Sequence, residues 1–123
     1  MDLQPVTANP CLTRLRETGA TAILDLAGEI DAFADERLDA AYAEAADRQP
    51  QRLLLNFSGV DYINSMGIAL IVAILAKTRR DGIVLLACCL SGHYQAMFRI
   101  TRLSDFITVF VDEASALHDG RTR

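Results

Sequence analysis

The sequence has no excess of positive charge and no long apolar run. Its 12 lysine and arginine residues are outnumbered by 16 aspartate and glutamate residues, for a formal net charge of −4. Because a phosphate backbone is normally bound by clustered basic residues, nucleic acid is not expected as a partner. The longest apolar run, Ile68 to Ala76, is far shorter than the roughly 20 residues of a membrane-spanning helix, so no membrane insertion is expected.

Cysteine is scarce as well, with three residues in the chain. Cys88 and Cys89 are neighbours in an apolar segment. Adjacent residues of a strand point to opposite faces, so these two are expected to be small core residues and poor disulfide partners. The cysteine spacing contains neither a CxxC pair nor a Cys/His set, so no metal site is predicted. Residues 1–5 lack the basic start and apolar centre of a secretory signal, which favours the cytoplasm.

Short apolar segments that alternate with segments of helical pattern predict an α/β fold. The predicted elements are, in order, a hairpin of strands at 12–17 and 21–27, a helix at 33–47, a strand at 52–57, a helix at 67–80, a strand at 83–89, a helix at 92–102, a strand at 106–111 and a helix at 112–118. This order implies a mixed central β-sheet of four to five strands packed by about four α-helices. The continuous apolar run at 52–57 is typical of a central strand. One core and one domain over residues 1–123 are expected.

Helical spacing also predicts which side chains face the core. In the first helix they are Phe33, Leu38, Ala41, Tyr42 and Ala45. In the helix at 92–102 they are Tyr94, Met97 and Phe98, with Thr101 left open. Asp112 is expected to start the last helix, because an aspartate before a helix can accept a hydrogen bond from its first turn.

The most informative segment is residues 56–67, Asn-Phe-Ser-Gly-Val-Asp-Tyr-Ile-Asn-Ser-Met-Gly, which leaves a buried strand, crosses a loop and starts a helix. The first N–H groups of a helix have no intrahelical acceptor, so Asn64 or Ser65 can cap them, contributing about 1 kcal/mol. The same position suits a phosphate on Ser65, because the helix dipole and free N–H groups stabilise a dianion. That phosphate would change the loop charge by about −2 and repel a docked partner.

Together with residues 26–31, Leu-Ala-Gly-Glu-Ile-Asp, this segment resembles the STAS domain of anti-sigma factor antagonists. In that family the first motif reads Gly-Glu-Leu-Asp and the second reads Asp-Leu-Ser-x-Val-x-x-Ile-Asp-Ser-Ser/Thr-Gly. A partner anti-sigma kinase phosphorylates the serine that follows the second aspartate, and Ser65 falls on that serine. The resemblance extends over about residues 12–117 and implies a single STAS domain with the STAS fold.

The resemblance implies a role in protein binding. The unphosphorylated antagonist binds an anti-sigma factor with serine kinase activity and frees the sigma factor, which regulates transcription indirectly. The kinase then uses ATP to phosphorylate the antagonist and switch it off. The partner-binding residues implied in this way are Asp31, Ser58, Asp61, Asn64, Ser65, Met66, Gly67 and Ile68. Whether the domain forms a homodimer is left open.

Four departures from the family pattern change the chemical character of the residue. Asn56 and Asn64 replace aspartates, Met66 replaces a serine or threonine, and Arg102 replaces the glycine of a later turn. Asparagine keeps the capping oxygen of aspartate but loses the carboxylate that can orient the serine or help a kinase recognise the loop. Met66 either adds an adaptable apolar surface beside Ile68 or packs locally.

Three other functions are weighed against this one. An enzyme using Ser65 with His93 or His118 has no support from a Gly-x-Ser-x-Gly elbow, a phosphate loop or a metal motif, so neither catalysis nor a cofactor is predicted. A STAS adaptor that binds constitutively within a larger signalling or lipid-transport assembly is favoured by the altered Asn64-Ser65-Met66 sequence. Nucleotide binding has only fold-level analogy behind it.

Overall fold

A computed structural model of the chain describes residues 9–121, with side chains up to His118. Residues 1–5, whose composition argues against a secretory signal, lie outside the described residues. Within the described range there are five strands and four α-helices. In chain order these are β1 (Leu12–Thr18), β2 (Thr21–Ile30), α1 (Asp35–Ala46), β3 (Arg52–Ile63), α2 (Ser65–Asp81), β4 (Val84–Cys88), α3 (Gly92–Ile100), β5 (Thr108–Phe110) and α4 (Glu113–Arg121). Short 3-10 turns precede α1 and β5, at Ala32–Ala34 and Leu103–Asp105.

The strands form one sheet in the order β1-β2-β3-β4-β5. The opening pair β1 and β2 is antiparallel, and all later pairs are parallel. The predicted mixed sheet is therefore confirmed, and β3 is its central strand. Leu55 lies opposite Leu24 of β2 and Ala87 of β4, so this apolar run pairs with an apolar strand on each side.

The sheet is covered on both faces, which explains why β3 is apolar without alternation. Leu53 and Leu55 belong to a large core cluster that also contains side chains of α1, α2 and α3. Leu54 belongs to a smaller cluster on the other face, where Ala116 of α4 packs against the sheet. All three leucines are fully buried. The sheet thus separates a three-helix layer from a single-helix layer.

A polar cluster attaches α4 to the sheet. The guanidinium of Arg16 in β1 donates to Asp25 at 2.7 Å and to Glu113 at 2.5 Å. Asn56 of β3 donates its amide N–H to the same carboxylate of Glu113 at 2.9 Å. One residue of α4 is therefore bound to two strands, and the hydrogen bonds from Arg16 and then Asn56 hold the pKa of Glu113 below its usual value.

The lowered pKa of Glu113 predicts a pH dependence of stability. A carboxyl group whose pKa is lower in the folded state stabilises the fold above its unfolded pKa of about 4.3, and that contribution is lost as the pH falls through the folded pKa. We expect the free energy of unfolding of the wild type to decline below about pH 4.3 more steeply than that of Glu113→Gln. Urea unfolding followed by circular dichroism at several pH values would measure both slopes. Equal slopes would mean that Glu113 is not stabilised by its partners.

The predicted helix cores are mostly confirmed, with one error. Leu38, Ala41, Tyr42 and Ala45 are buried, as expected. The prediction for Phe33 is wrong, because its side chain is 74% exposed. The cause is a 3-10 turn started by Asp31, whose carboxylate accepts a hydrogen bond from the Phe33 N–H at 3.0 Å. This turn takes Phe33 off the face that α1 buries.

Near the C-terminus α3 and β5 are shorter than predicted, whereas α4 extends further, to Arg121. The strand expected at 106–111 covers only Thr108–Phe110, and Phe106 is exposed, with its ring 5.5 Å from the guanidinium of Arg79. Thr101 is exposed, and its hydroxyl donates back to the Met97 carbonyl at 2.8 Å. Asp112 does start α4, accepting from the Ser115 N–H at 2.8 Å.

The adjacent cysteines pack in the core, as expected, but the expectation that their side chains point to opposite faces is wrong. Cys88 ends β4 and is fully buried, but Cys89 has a φ of 69° and is no longer in strand conformation. The left-handed backbone turns its side chain back, so that both side chains contact the cluster under α4. The two sulfur atoms lie 3.4 Å apart.

Candidate functional site

The structure places the informative segment at the junction of β3 and α2. The strand continues to Ile63, beyond the predicted end at Phe57, so residues 58–63 are strand and not loop. The extension pairs with β2, with Val60 opposite Gly28, and each of two register shifts accommodates one extra residue of β3. Ser58 and Asp61 are exposed on this extension.

The helix begins two residues earlier than predicted, at Ser65. Asn64 is in an extended conformation, and its side-chain oxygen accepts a hydrogen bond from the Gly67 N–H at 2.9 Å. Of the two predicted capping residues, Asn64 is therefore the cap. Ser65 is the first residue of a 17-residue helix and is exposed. The positive end of the helix dipole thus lies at this serine.

The start of α2 is held against the end of β2. The Asn64 N–H donates to the Ile30 carbonyl at 3.3 Å. Gly67 is buried, and a Cβ added there would lie 2.0 Å from the same carbonyl oxygen. Gly67 therefore fixes the position of the helix by close packing and is not available for contact with a partner. Asp31 comes directly after Ile30, so it lies next to the start of α2.

Polar contacts order the strand extension. The Ser58 N–H donates to the side-chain oxygen of Asn56 at 2.9 Å, and the Asn9 amide donates to Asp61 at 3.0 Å. At the end of the strand, the Ile63 N–H donates to the hydroxyl of Tyr94 at 2.9 Å. The segment that leads to Ser65 is therefore tied to the N-terminal approach of β1 and to α3.

Exposed apolar side chains adjoin the serine. Met66 is 52% exposed and Tyr62 is 48% exposed, whereas Ile68 is half-buried and packs against the main core. A groove of about 590 Å³ runs between this segment and α3. It is lined by Tyr62, Ile63, Asn64, Ser65, Ile68, His93, Tyr94, Met97 and Thr101. Polar and apolar side chains thus meet around Ser65, an arrangement suited to protein binding.

Sequence reasoning missed the contribution of α3 to this groove. Neither His93 nor Met97 is among the predicted partner-binding residues, yet both line the groove with Ser65. Their separation in the sequence gives no signal of this, because only the packing of α3 against the end of β3 brings them together. Tyr62 lies within the motif, two residues before the capping Asn64, and that position could have identified it as a residue of the groove.

Within residues 9–121, no group of three or more histidine, cysteine or acidic side chains is arranged to hold a metal ion. Over the same residues, the helices are too short or too polar to cross a lipid bilayer. His93 packs edge-on against Tyr94, with ring centroids 4.8 Å apart.

The comparison with known families decides the assignment. The sequence model of the STAS domain matches residues 13–116. The chain belongs to the STAS domain family. Among curated proteins it is similar to BtrV of Bordetella bronchiseptica, whose name describes an anti-sigma factor antagonist, with 28% identity over 69% of this chain and 71% of BtrV.

Solved structures agree with the STAS fold. An anti-sigma factor antagonist from Mycobacterium paratuberculosis superposes with a TM-score of 0.77 at 19% identity, over 93% of this chain and 97% of that one. The antagonist SpoIIAA in its unphosphorylated form gives 0.68 at 17% identity, over 90% and 98%. The Bacillus cell fate determinant SpoIIAA in its phosphorylated form gives 0.67 at 20% identity, over 91% and 100%.

Two departures from the STAS antagonist pattern have a structural explanation. Asn56 accepts from Ser58 and donates to Glu113, and aspartate cannot do the second. Arg102 adopts a φ of 66°, the left-handed conformation that glycine favours, and its guanidinium pairs with Asp105 at 2.6 Å. The turn before β5 therefore keeps its geometry without glycine.

The cap of α2 in this STAS domain can be tested directly. We expect Asn64→Ala to lower the free energy of unfolding by about 1 kcal/mol, because the Gly67 N–H loses its acceptor. Asn64→Asp keeps the acceptor and adds a negative charge at the helix N-terminus, so it is expected to be at least as stable as the wild type. Urea denaturation of the three proteins gives the comparison. A destabilised Asn64→Asp variant would contradict the capping role.

Proposed function

We propose that this STAS domain is an anti-sigma factor antagonist and that phosphorylation of Ser65 switches its binding off. The observation that carries the proposal is the exposed serine at the first position of α2, directly after the capping Asn64. The names of BtrV and of the mycobacterial structure support the antagonist role. The SpoIIAA structure in a phosphorylated form supports phosphorylation on this fold.

The proposed partner is an anti-sigma factor with serine kinase activity. In the reaction, the Ser65 hydroxyl oxygen attacks the γ-phosphorus of ATP, its proton passes to a base of the kinase, and ADP leaves. The unphosphorylated chain occupies the anti-sigma factor and frees its sigma factor, so transcription is regulated without contact to DNA. Such a protein works in the cytoplasm, where bacterial transcription takes place.

The docking surface in this proposal consists of Asp31, Ser58, Asp61, Asn64, Ser65, Met66 and Ile68, with Gly67 buried beneath it. Met66 supplies exposed apolar area, and Asp31 and Asp61 supply negative charge. Gly67 acts through position alone, since it is buried. A partner that fits this surface presents an apolar patch with basic groups at its rim.

A phosphate on Ser65 would be tolerated by the fold but not by a docked partner. The N-terminus of α2 provides N–H groups and a positive dipole end, which stabilise a dianion. The same phosphate adds a charge of about −2 to the middle of the docking surface. A partner that binds there must desolvate this charge, which costs free energy. The switch therefore acts on association and leaves the folded domain intact.

The test compares Ser65→Ala and Ser65→Asp with the wild type. Each is used to capture proteins from a lysate of the native host, followed by mass spectrometry and affinity measurement with the purified partner. We expect Ser65→Asp to bind an ATP-dependent kinase domain on the order of tenfold to a hundredfold more weakly than the wild type, about 1.4 to 2.8 kcal/mol. Ser65→Ala should bind normally and resist phosphorylation when ATP is added.

Ser115→Asp is the matched control, because it places the same charge in the first turn of α4 on the opposite face of the sheet. It should bind like the wild type. If Ser65→Asp retains the same partner with unchanged affinity, the phosphorylation switch is wrong and the domain is a constitutive adaptor. If the captured partner carries no kinase activity, the proposed phosphorylation by the partner fails.

A further inference from the structure

The end of β4 contains two thiols in direct contact. Cys88 is the last residue of the strand, and Cys89 follows with a φ of 69°. The Cys89 N–H donates to the Phe110 carbonyl at 3.3 Å, which holds the turned backbone against β5. The Cys89 thiol lies 3.4 Å from the Cys88 sulfur. In a regular strand the two side chains would point to opposite faces.

We propose that Cys88 and Cys89 form a reversible thiol–disulfide site that is oxidised by hydrogen peroxide. The sulfur atoms need to approach from 3.4 Å to about 2.0 Å to form the bond. Both side chains already lie on the same side of the sheet, so the closure requires local rotation and not a change of fold.

The chemistry assigns different roles to the two thiols. Cys89 is the more accessible, so its thiolate attacks one peroxide oxygen, giving a sulfenic acid on Cys89 and releasing water after protonation. The Cys88 sulfur then attacks the Cys89 sulfur, the disulfide forms, and a second water leaves with the Cys88 proton. Hydrogen peroxide is reduced by two electrons and the two thiols are oxidised by two.

The burial of Cys88 sets the pace of the second step. Burial raises the pKa of the Cys88 thiol, so little thiolate is present near neutral pH. Ring closure is therefore slow and is expected to accelerate as the pH rises. Reduction is expected to be easy, because adjacent Cα atoms are about 3.8 Å apart, less than the roughly 4.4 Å minimum of ordinary disulfides, which strains the ring.

The pair lies beside the segment that leads to Ser65. Cys89 lines a cavity of about 350 Å³ together with Ser58, Val60 and Tyr94. Two residues after Cys89, Ser91 caps α3 by accepting from the Tyr94 N–H at 3.4 Å. Tyr94 in turn accepts from the Ile63 N–H. Closing the ring is thus expected to move the start of α3 and the end of β3, whether or not the domain binds an anti-sigma factor.

A single peptide reports the state of the pair. Trypsin cleavage after Arg80 and Arg99 gives residues 81–99, which contain Cys88, Cys89 and Met97 but not Cys11. The folded protein is treated with hydrogen peroxide, alkylated, digested and analysed by mass spectrometry. We expect this peptide to lose two hydrogen atoms and to resist alkylation, and dithiothreitol should restore both thiols.

Two variants make the test specific. Cys11→Ser retains the pair and should behave like the wild type, whereas Cys89→Ser should show no loss of hydrogen. In amide proton–nitrogen spectra of the wild type, oxidation should shift the signals of Ile63 and Ser91 and dithiothreitol should return them. The proposal is overturned if the peptide gains oxygen at Met97 or Cys89 while the pair stays open, or if the product is a disulfide-linked dimer.

Discussion

Gly67→Ala is expected to lower the free energy of unfolding by about 3 kcal/mol, at the upper end of the usual cost of overpacking. The added methyl group would lie 2.0 Å from the Ile30 carbonyl oxygen, and 3.0 Å from a methyl group of Ile63. Backbone atoms on both sides must move to accommodate it. Helix propensity alone favours alanine over glycine by about 1 kcal/mol, so a net loss would show that the close contact dominates.

Gly92→Ala is the matched control, because this glycine also lies in the first turn of a helix and a Cβ there meets nothing within 4 Å. It should be neutral or slightly stabilising. Urea denaturation of both variants measures the difference, and partner binding is expected to fall only for Gly67→Ala, since the start of α2 is displaced. Equal stability of the two variants would mean that α2 can shift away from β2 at little cost.

Asn56→Asp, which restores the residue of the STAS antagonist motif, is expected to destabilise this protein by about 2 kcal/mol at neutral pH. Asn56 is only 8% exposed, and its amide nitrogen lies 2.9 Å from a carboxylate oxygen of Glu113. Aspartate would put a second carboxylate there in place of a donor. Arg16 already pairs with both Asp25 and Glu113, and the exposed Arg14 lies 3.5 Å from Asp25, so a third carboxylate would add negative charge that has no cation of its own.

The sign of the pH dependence distinguishes this repulsion from a packing defect. Burial and the nearby negative charge would raise the pKa of the introduced carboxyl group in the folded state. Its destabilising effect is then absent below the unfolded pKa of about 3.9 and appears as the pH rises through the folded pKa. The gap between wild type and Asn56→Asp should therefore narrow in acid. A difference in the free energy of unfolding that does not change with pH would indicate a loss of packing.

A double variant tests the pairing directly. In Asn56→Asp with Glu113→Gln, the glutamine amide can donate to the new carboxylate, which reverses the direction of the original hydrogen bond. The double variant is expected to be more stable than the sum of the two single effects predicts, by about 1 kcal/mol. Additive effects would contradict a direct contact between the two side chains.

The sequence predicts most of the framework because local signals and packing agree there. The apolar run of β3 indicates a strand buried on both faces, and the motif places Ser65 at a helix start. The prediction that Phe33 is buried was wrong. Its spacing fits the buried face of α1, but the hydrogen bond to Asp31 places it in a separate turn. An aspartate that accepts a hydrogen bond from the N–H two residues later is a known local motif, but the helical spacing of the apolar residues favoured the other interpretation.

The parts that could not be predicted depend on residues far apart in the chain. In the sequence, Asn56 is only the loss of an acidic group. Its role as a hydrogen-bond donor depends on Glu113, which lies 57 residues later. Arg16 and Glu113 are 97 residues apart and carry no pattern that links them. The geometry of Cys89 likewise depends on its backbone bond to Phe110 of the neighbouring strand.

The sheet order has a consequence for how the chain acquires its structure. Each strand pairs with the strand that follows it in the sequence, so β1 to β5 can assemble one after another with short loop closures. During synthesis from the N-terminus, β1, β2 and β3 can pair before α4 has been made. In that order, the contact between Glu113 and Arg16 would form last. The residues of the docking surface could then be folded before α4 packs against its face of the sheet.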